Sequence, residues 1–448
     1  MNNAAENNEG TRDRLFKELR QRRHEFLNSR IKGRQSKHQD IHTEDFEGGL
    51  YIREGGNGTA EPVYLEISDI DELKSLVSPD ALVSAYGDGN LHKNLKGMKK
   101  GVDEEALLQM DTFEKEDLCR AFTQYIYGHS RFADSYRDAL NLTYFKEPMK
   151  VPVMEYQDVY VAKGSPLHIG KPGAGATVFT CRKIILEEGA KVVFDGESIL
   201  DAEAMENQGT FSDLFSCGVS GEPGGVGKAG KSGDNGAKGD KGTDDKDCCK
   251  TQATDGKAGG SGTAGDSAPG SGDGVPGSPV TIDVSSITGS HYVFSYGGDG
   301  GNGGTGGKGG DGGNGGEAAG SAGHCGKSNP GKGGDGGDGG KGGNGGKGGN
   351  GNTVIIRYIA EQSKSAQFIL LSPQRARELG YCGGFGGRKG EGGAAGAGGS
   401  GGKKYDDNGN LVDSGNDYKG KAGRKGGDGE PGVAGIPGEI TINGRIAE

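Results

Sequence analysis

The sequence predicts a multidomain chain: an N-terminal helical domain, a short β-layer or β-helix-like platform, and a C-terminal antiparallel bundle of six polyglycine-II helices. Three observations carry this expectation. Of 94 glycines in 448 residues, 75 fall in residues 216–448, about one-third of that stretch against a usual share of about 7%. Within it, glycine keeps a period of three in six separate blocks. The blocks are joined alternately by β-like runs and by polar segments.

Composition narrows the functional classes. Apolar residues make up only 31% and tryptophan is absent, so a conventional hydrophobic core cannot run the whole length. The formal charge of −11 and pI near 5.4 argue against bulk affinity for nucleic acid. No segment approaches the roughly 18 apolar residues of a membrane span. The chain opens MNNAAENNEGTRDR, without the apolar run of a secretory signal. Synthesis in the cytoplasm is expected, the protein then either staying in the cytosol or leaving by lysis or a dedicated assembly route. Seven cysteines suit no complete disulfide framework, and free thiols are the default in a reducing compartment.

Four parts are expected: a basic helical arm (1–47), a small helical domain (48–150), a β-layer platform (151–217) and the six-helix bundle (218–448). In the arm, residues 11–34 read as an amphipathic helix with Leu15, Leu19, Phe26 and Ile31 near one face. Arg12, Arg14, Lys17, Arg20, Arg22, Arg23, Arg30 and Lys32 occupy much of the rest. Such an arm packs on its own chain, docks on an acidic partner, pairs with copies of itself or touches nucleic acid. In the next part, Ser68 followed by Asp71 and Asp111 followed by Glu114 suit helix N-caps. Leu118, Ala121, Phe122, Tyr125 and Ile126 form one apolar stripe, and Phe132, Tyr136, Ala139 and Leu140 another. Cys119, beside the first stripe, reads as a buried thiol. From Val151 the period shortens to that of strands, with candidates at 159–161, 167–169, 177–179, 183–186 and 191–194.

The glycine blocks run over 218–242, 256–277, 297–316, 331–351, 384–402 and 420–438. A flexible linker has no reason to hold phase. Period three is that of the extended left-handed helix, which makes no internal hydrogen bonds and so must pair its amides with neighbours. Only 14 prolines occur in the whole chain, too few for collagen. Blocks three and four, with two glycines in nearly every triplet, are expected at the centre. Asp299, Asn302, Lys308, Asp311 and Asn314 are expected to face solvent.

The connections after blocks two and four (280–296, 353–371) and the terminal run (439–446) are β-like. Those after blocks one, three and five are polar: 243–255, 317–330 and 403–419. With antiparallel neighbours, the β-like runs share one end with the platform and the polar loops share the other. Residues of these loops are the receptor-contact candidates: Asp244, Asp245, Lys250, His324, Lys327, Tyr405, Asp406, Asn408, Asn410 and Tyr418. The same split brings Cys325 near Cys248 or Cys249, and Cys217 near Cys382, so either bridge can form in an oxidising medium. Residues 405–412 read as a hairpin turning at Asn408–Gly409.

Other motifs lose on context. Gly225–Ser232 matches a phosphate-cradling loop, but that chemistry needs a strand before it and a helix after it; here it lies inside block one. Cys248 and Cys249 lack a CxxC spacing and have only His324 near, so no metal or cofactor is expected. His129, His168, His291 and His324 are scattered, with no neighbouring acid or nucleophile at a useful spacing, and nothing argues for catalysis.

The block pattern resembles the glycine-rich domain of the tail-fibre-tip adhesins of T-even-like bacteriophages. It also looks like the glycine-rich bacterial proteins loosely called collagen-like. The resemblance covers about 220 residues and rests on register and loop alternation. It implies a non-enzymatic adhesin, virion-associated or extracellular, whose distal loops bind a surface protein or glycan and whose residues 1–150 join a fibre or assembly, with self-association as a homo-oligomer open. A structural filament or matrix protein is the alternative, and an ice-binding protein a more distant one.

Overall fold

The computed structural model of the chain describes residues 2–30, 40–58, 62–87, 89–98 and 102–447. Its regular structure is dominated by sheet. A nine-stranded mixed sheet (sheet A) and a six-stranded parallel sheet (sheet B) face one another. Successive strands alternate between them: Met149–Val161, Thr177–Leu186, Ser198–Asn207, Val280–Thr288, Val354–Tyr358 and Ile440–Ile442 lie in A, while Leu167–Ile169, Lys191–Phe194, Ser212–Cys217, Ser290–Tyr296 and Gln367–Leu370 lie in B. Register is fixed by the pleat, because every second residue must reach the core. Thus Leu200, Ala202, Val280, Ile282, Val284 and Ile356 enter the apolar layer between the sheets, with Val192, Phe194, Leu214 and Val293 opposite.

Helices cover the outer faces. Among the described residues these are α1 (Asn2–Arg30), α2 (Ile70–Val77), α3 (Asp80–Tyr86), α4 (Glu104–Leu108), α5 (Thr112–Tyr127), α6 (Arg137–Tyr144) and α7 (Pro373–Glu378). Helices α2, α5 and α6 bury Ile70, Leu73, Ile126 and Leu140 against Leu65, Ile67, Val153 and Ile199 of sheet A. Helix α7 brings Ala376 to Phe215 and Phe294 on the outside of sheet B.

The expected bundle of six helices is corrected by this architecture, and the collagen-like description with it. Helix accounts for 20% of the chain, and no helix lies in the glycine blocks. The reason is in the connections. The runs at 280–296, 354–358 and 440–442 are strands of the same two sheets as 149–217, so the sheets are no short platform under an independent bundle. Each glycine-rich pair is instead an extended excursion between one strand of B and the next strand of A. The six segments are tied backbone to backbone. Gly221 N–H donates to Asp299 O, Gly301 to Gly272 O, Gly334 to Gly313 O, Gly300 to Phe385 O and Gly336 to Lys421 O, each at 2.8–2.9 Å. The third and fourth segments each bond to four others, the first only to the second and third. At Gly310 an added Cβ would overlap the Lys231 carbonyl, whereas at Gly427 it would meet nothing within 4 Å.

Smaller expectations also shift. The α2 cap is Asp69, which accepts from Glu72 N–H at 2.8 Å, rather than Ser68; Asp111 and Glu114 form a capping box on α5. Cys119 is exposed, not buried. Thr177–Phe179 and Lys183–Leu186 belong to one strand. Ile31 and Lys32 lie outside the described residues. Asn302, Lys308 and Asn314 are exposed, but Asp299 and Asp311 are only half exposed. These carboxylates and amides accept amide protons that the glycine lattice leaves over: Asp311 from Ala397 at 2.8 Å, Asn314 from Ser400 at 2.9 Å, Asp338 from Arg424 at 2.7 Å. The Ala397 amide, with Lys308 beside it, holds the Asp311 carboxyl below its usual range.

Candidate functional site

The three polar loops lie against one another. The first carries a two-stranded ribbon, Thr243–Asp244 with Cys249–Thr251, and the third a second ribbon, Lys403–Tyr405 with Leu411–Asp413. A disulfide joins Cys249 of the first loop to Cys325 of the second. Cys248 remains a free, exposed thiol. Asp244 accepts from the His324 N–H at 3.1 Å and sits 3.2 Å from its Nδ1. Gly323, in the left-handed region at φ +51°, leaves the room that Asp244 fills. The second loop grips the third through Lys327 Nζ, 2.9 Å from the Asp406 carbonyl and 3.2 Å from Asp407 Oδ1. Ala318 N–H donates to Lys403 O at 2.8 Å.

Inside the third loop, Asp406 organises the turn. Its Oδ1 accepts from Asn410 N–H at 2.7 Å and from Asn408 N–H at 3.0 Å, and its own N–H donates to Asn410 O. The Asn410 amide contributes most to holding the carboxyl below its usual range. Gly409 takes φ +80°, which favours glycine at that corner. Asp245 closes the first loop by donating to Cys248 O at 2.9 Å, while Lys250 stays exposed. Tyr418 is half buried, and its carbonyl accepts from Gly333, so it belongs to the foot of the loop.

Between the end of the first glycine segment and the second and third loops is a cleft of about 630 Å³, walled by Lys238, Lys241, Lys327, Tyr405, Asp406 and Asp407. Sequence reasoning singled out Lys327, Tyr405 and Asp406 and missed Asp407 together with Lys238 and Lys241, which end the first glycine segment rather than open the loop. Lys238 lies 3.1 Å from Glu317, whose hydrogen bond and charge raise its pKa. Tyr405 rests on Gly320, where a Cβ would press within 3.2 Å of the ring.

At the opposite end, Cys217 and Cys382 are bridged. The histidines do have acids in space: His168 Nδ1 lies 2.8 Å from Asp195 Oδ2 and His129 3.6 Å from Asp80. His291 is fully buried, with Nδ1 2.8 Å from Ser212 Oγ and Nε2 3.1 Å from Thr288 O. Burial lowers its pKa to about 4. The pair is enclosed in the core of sheet B and offers no route to a substrate. Among the described residues no group of three potential metal ligands occurs, and no helix is long and apolar enough to cross a membrane.

The basic arm finds its acids within the chain. Asp201 and Asp283 stand in register on neighbouring strands of sheet A, with Arg357 in register beside Asp283. Like charges placed so repel. Arg23 bridges them, 3.0 Å from Asp201 and 2.5 Å from Asp283, and Arg20 adds a contact to Asp201 at 2.7 Å. Arg357 holds both oxygens of Asp283 at 2.6 and 2.8 Å. Arg14, Lys17 and Arg22 remain exposed.

No family model, curated protein or solved structure matches the chain.

Proposed function

We propose that the protein is a non-enzymatic receptor-binding protein whose loops 243–255, 317–330 and 403–419 contact a surface receptor, while residues 1–150 join it to a larger assembly. One observation carries this reading: three polar, exposed loops are cross-linked to one another on supports whose amides are committed to backbone pairing. Such pre-organisation lowers the ordering cost of binding, and binding residues concentrate on loops held by a rigid scaffold. The residual positive face of α1, at Arg14, Lys17 and Arg22, supports an acidic partner for the N-terminal part. Replacing each loop by a glycine-serine turn is expected to abolish cell-surface or receptor binding while the sheets keep their thermal transition. Undiminished binding by all three replacements would refute the proposal.

A second reading, a filament or matrix protein, is favoured by aliphatic side chains on the outer glycine segments: Val226 on the first, Val433 and Ile436 on the sixth, each about 70% exposed. Concentration-dependent filaments in electron micrographs, abolished by Val433→Ser with Ile436→Ser, would select it.

A further inference from the structure

The cleft between the loops has a chemistry of its own, and on the receptor-binding reading we infer that it takes an acidic saccharide, a sugar carrying a carboxylate or a phosphate. Its volume of about 630 Å³ lies within the range of about 300–1,000 Å³ usual for small-ligand sites. The walls are unusual in what they lack. Apart from Ala319, no aliphatic side chain lines the cleft, whose remaining surface is glycine backbone, Ser321 and charged groups around Tyr405. That excludes lipid tails and apolar peptide side chains, which gain affinity by burying apolar area. A polyhydroxylated ring suits it: hydroxyls pair with ammonium, hydroxyl and carboxylate groups, and the ring's C–H face packs on the half-exposed Tyr405.

Charge selects the acidic member of that class. Lys238 and Lys327 already have carboxylate neighbours in Glu317 and Asp407. Lys241 lines the same cleft, is exposed, and has no ion-pair partner among the described residues. Asp406, the other acid of the lining, stays ionised but has turned its Oδ1 to the amides of Asn408 and Asn410. Lys241 is therefore the one lysine of the lining without an ion-pair partner among the described residues, and an anionic substituent would supply that partner. A metal ion does not fit a lining in which three lysines stand beside two carboxylates, and among the described residues no group of three potential metal ligands occurs.

The walls are set before any ligand arrives. The Cys249–Cys325 bridge, the Lys327 contacts to the third loop and the Ala318-to-Lys403 hydrogen bond fix the loops. Gly320 is the seat of Tyr405, and a larger side chain there would crowd the ring.

The test is calorimetric titration of the full chain with trigalacturonate, with its neutral methyl ester and with galactose 6-phosphate. The inference expects trigalacturonate or galactose 6-phosphate, whichever anion is recognised, to bind at least tenfold more tightly than the ester, and more weakly as salt rises. Lys241→Gln should remove that preference, and Tyr405→Ala should weaken all saccharides where Tyr405→Phe does not. Absence of binding by both acids, equal affinity for acid and ester, or an unchanged preference in Lys241→Gln would overturn it. Loop-dependent receptor binding that survives Lys241→Gln and Tyr405→Ala would also sink the saccharide inference, leaving a protein receptor and the wider proposal intact. Loss of neither after loop replacement would instead remove the receptor reading itself.

Discussion

At the scale of single residues, glycines of identical sequence context have opposite requirements. Gly310 lies between segments and has no space for a methyl group, because the Lys231 carbonyl stands where Cβ would be. Gly427 faces open space. Gly310→Ala is therefore expected to cost at least about 2 kcal/mol through forced separation of the backbones. Gly427→Ala should be neutral or stabilising by about 0.5 kcal/mol, since it restricts the unfolded chain. Urea melts of the two variants check this. His291 makes a second prediction, about pH. Buried and neutral, it holds its pKa at about 4, while an unfolded chain takes up the proton near 6.5. Its contribution is complete above pH 6.5, is lost as pH falls from there to about 4, and is flat below. The span is about 3 kcal/mol. In His291→Gln the urea midpoint should lose that part of its pH slope.

At the scale of elements, α1 shows what a sequence can and cannot disclose. The helix and its stripe of Leu15, Leu19 and Phe26 are legible from spacing, although the most deeply buried residue is Phe16, which seats between Leu19, Leu82 and Ile359. The destination of the arginines is not legible. Arg23 meets Asp201 and Asp283 at separations of 178 and 260 residues, and nothing local marks those two among the chain's 63 acidic residues. Local signals fare better: the capping box at Asp111 and the alternation in the strands follow from short-range geometry. The candidate loops were legible because polar connections recur in one phase with the glycine blocks. Lys238 and Lys241 were not, since their role depends on which loop lies across from them. Arg23→Ala is expected to destabilise the protein by about 3–5 kcal/mol, because two aligned carboxylates lose the cation between them. Arg22→Ala, on the exposed side of the same helix, should stay within about 0.5 kcal/mol. Guanidinium unfolding of both separates an arm that holds the sheet from one that merely lies on it.

At the scale of the whole molecule, two kinds of cohesion meet along one chain. Between the sheets it is apolar burial, with Phe179, Phe194, Leu167 and Ile282 fully enclosed. In the glycine segments there is almost no side chain to bury, and cohesion comes from amides paired across six backbones. Period three in the sequence marks where those backbones approach closely, yet it misleads as to class, because extended segments feeding a sheet share that periodicity with separate helices. The physical consequence is a graded protection. Amides of the third and fourth segments, with partners in four neighbours, can open only if several segments part together. Those of the first segment have two neighbours, and those of loop 243–255 have fewer bonds still. Hydrogen exchange should therefore be slowest at residues 300–315 and 333–348, intermediate at 221–236 and fastest at 243–255. Reducing the Cys249–Cys325 bridge should speed the loops alone, because no bond of the central segments passes through that disulfide. Equal exchange across the six segments, or a collapse of central protection on reduction, would mean that the loops hold the backbones together rather than the reverse, and that the binding end is not carried on a rigid support.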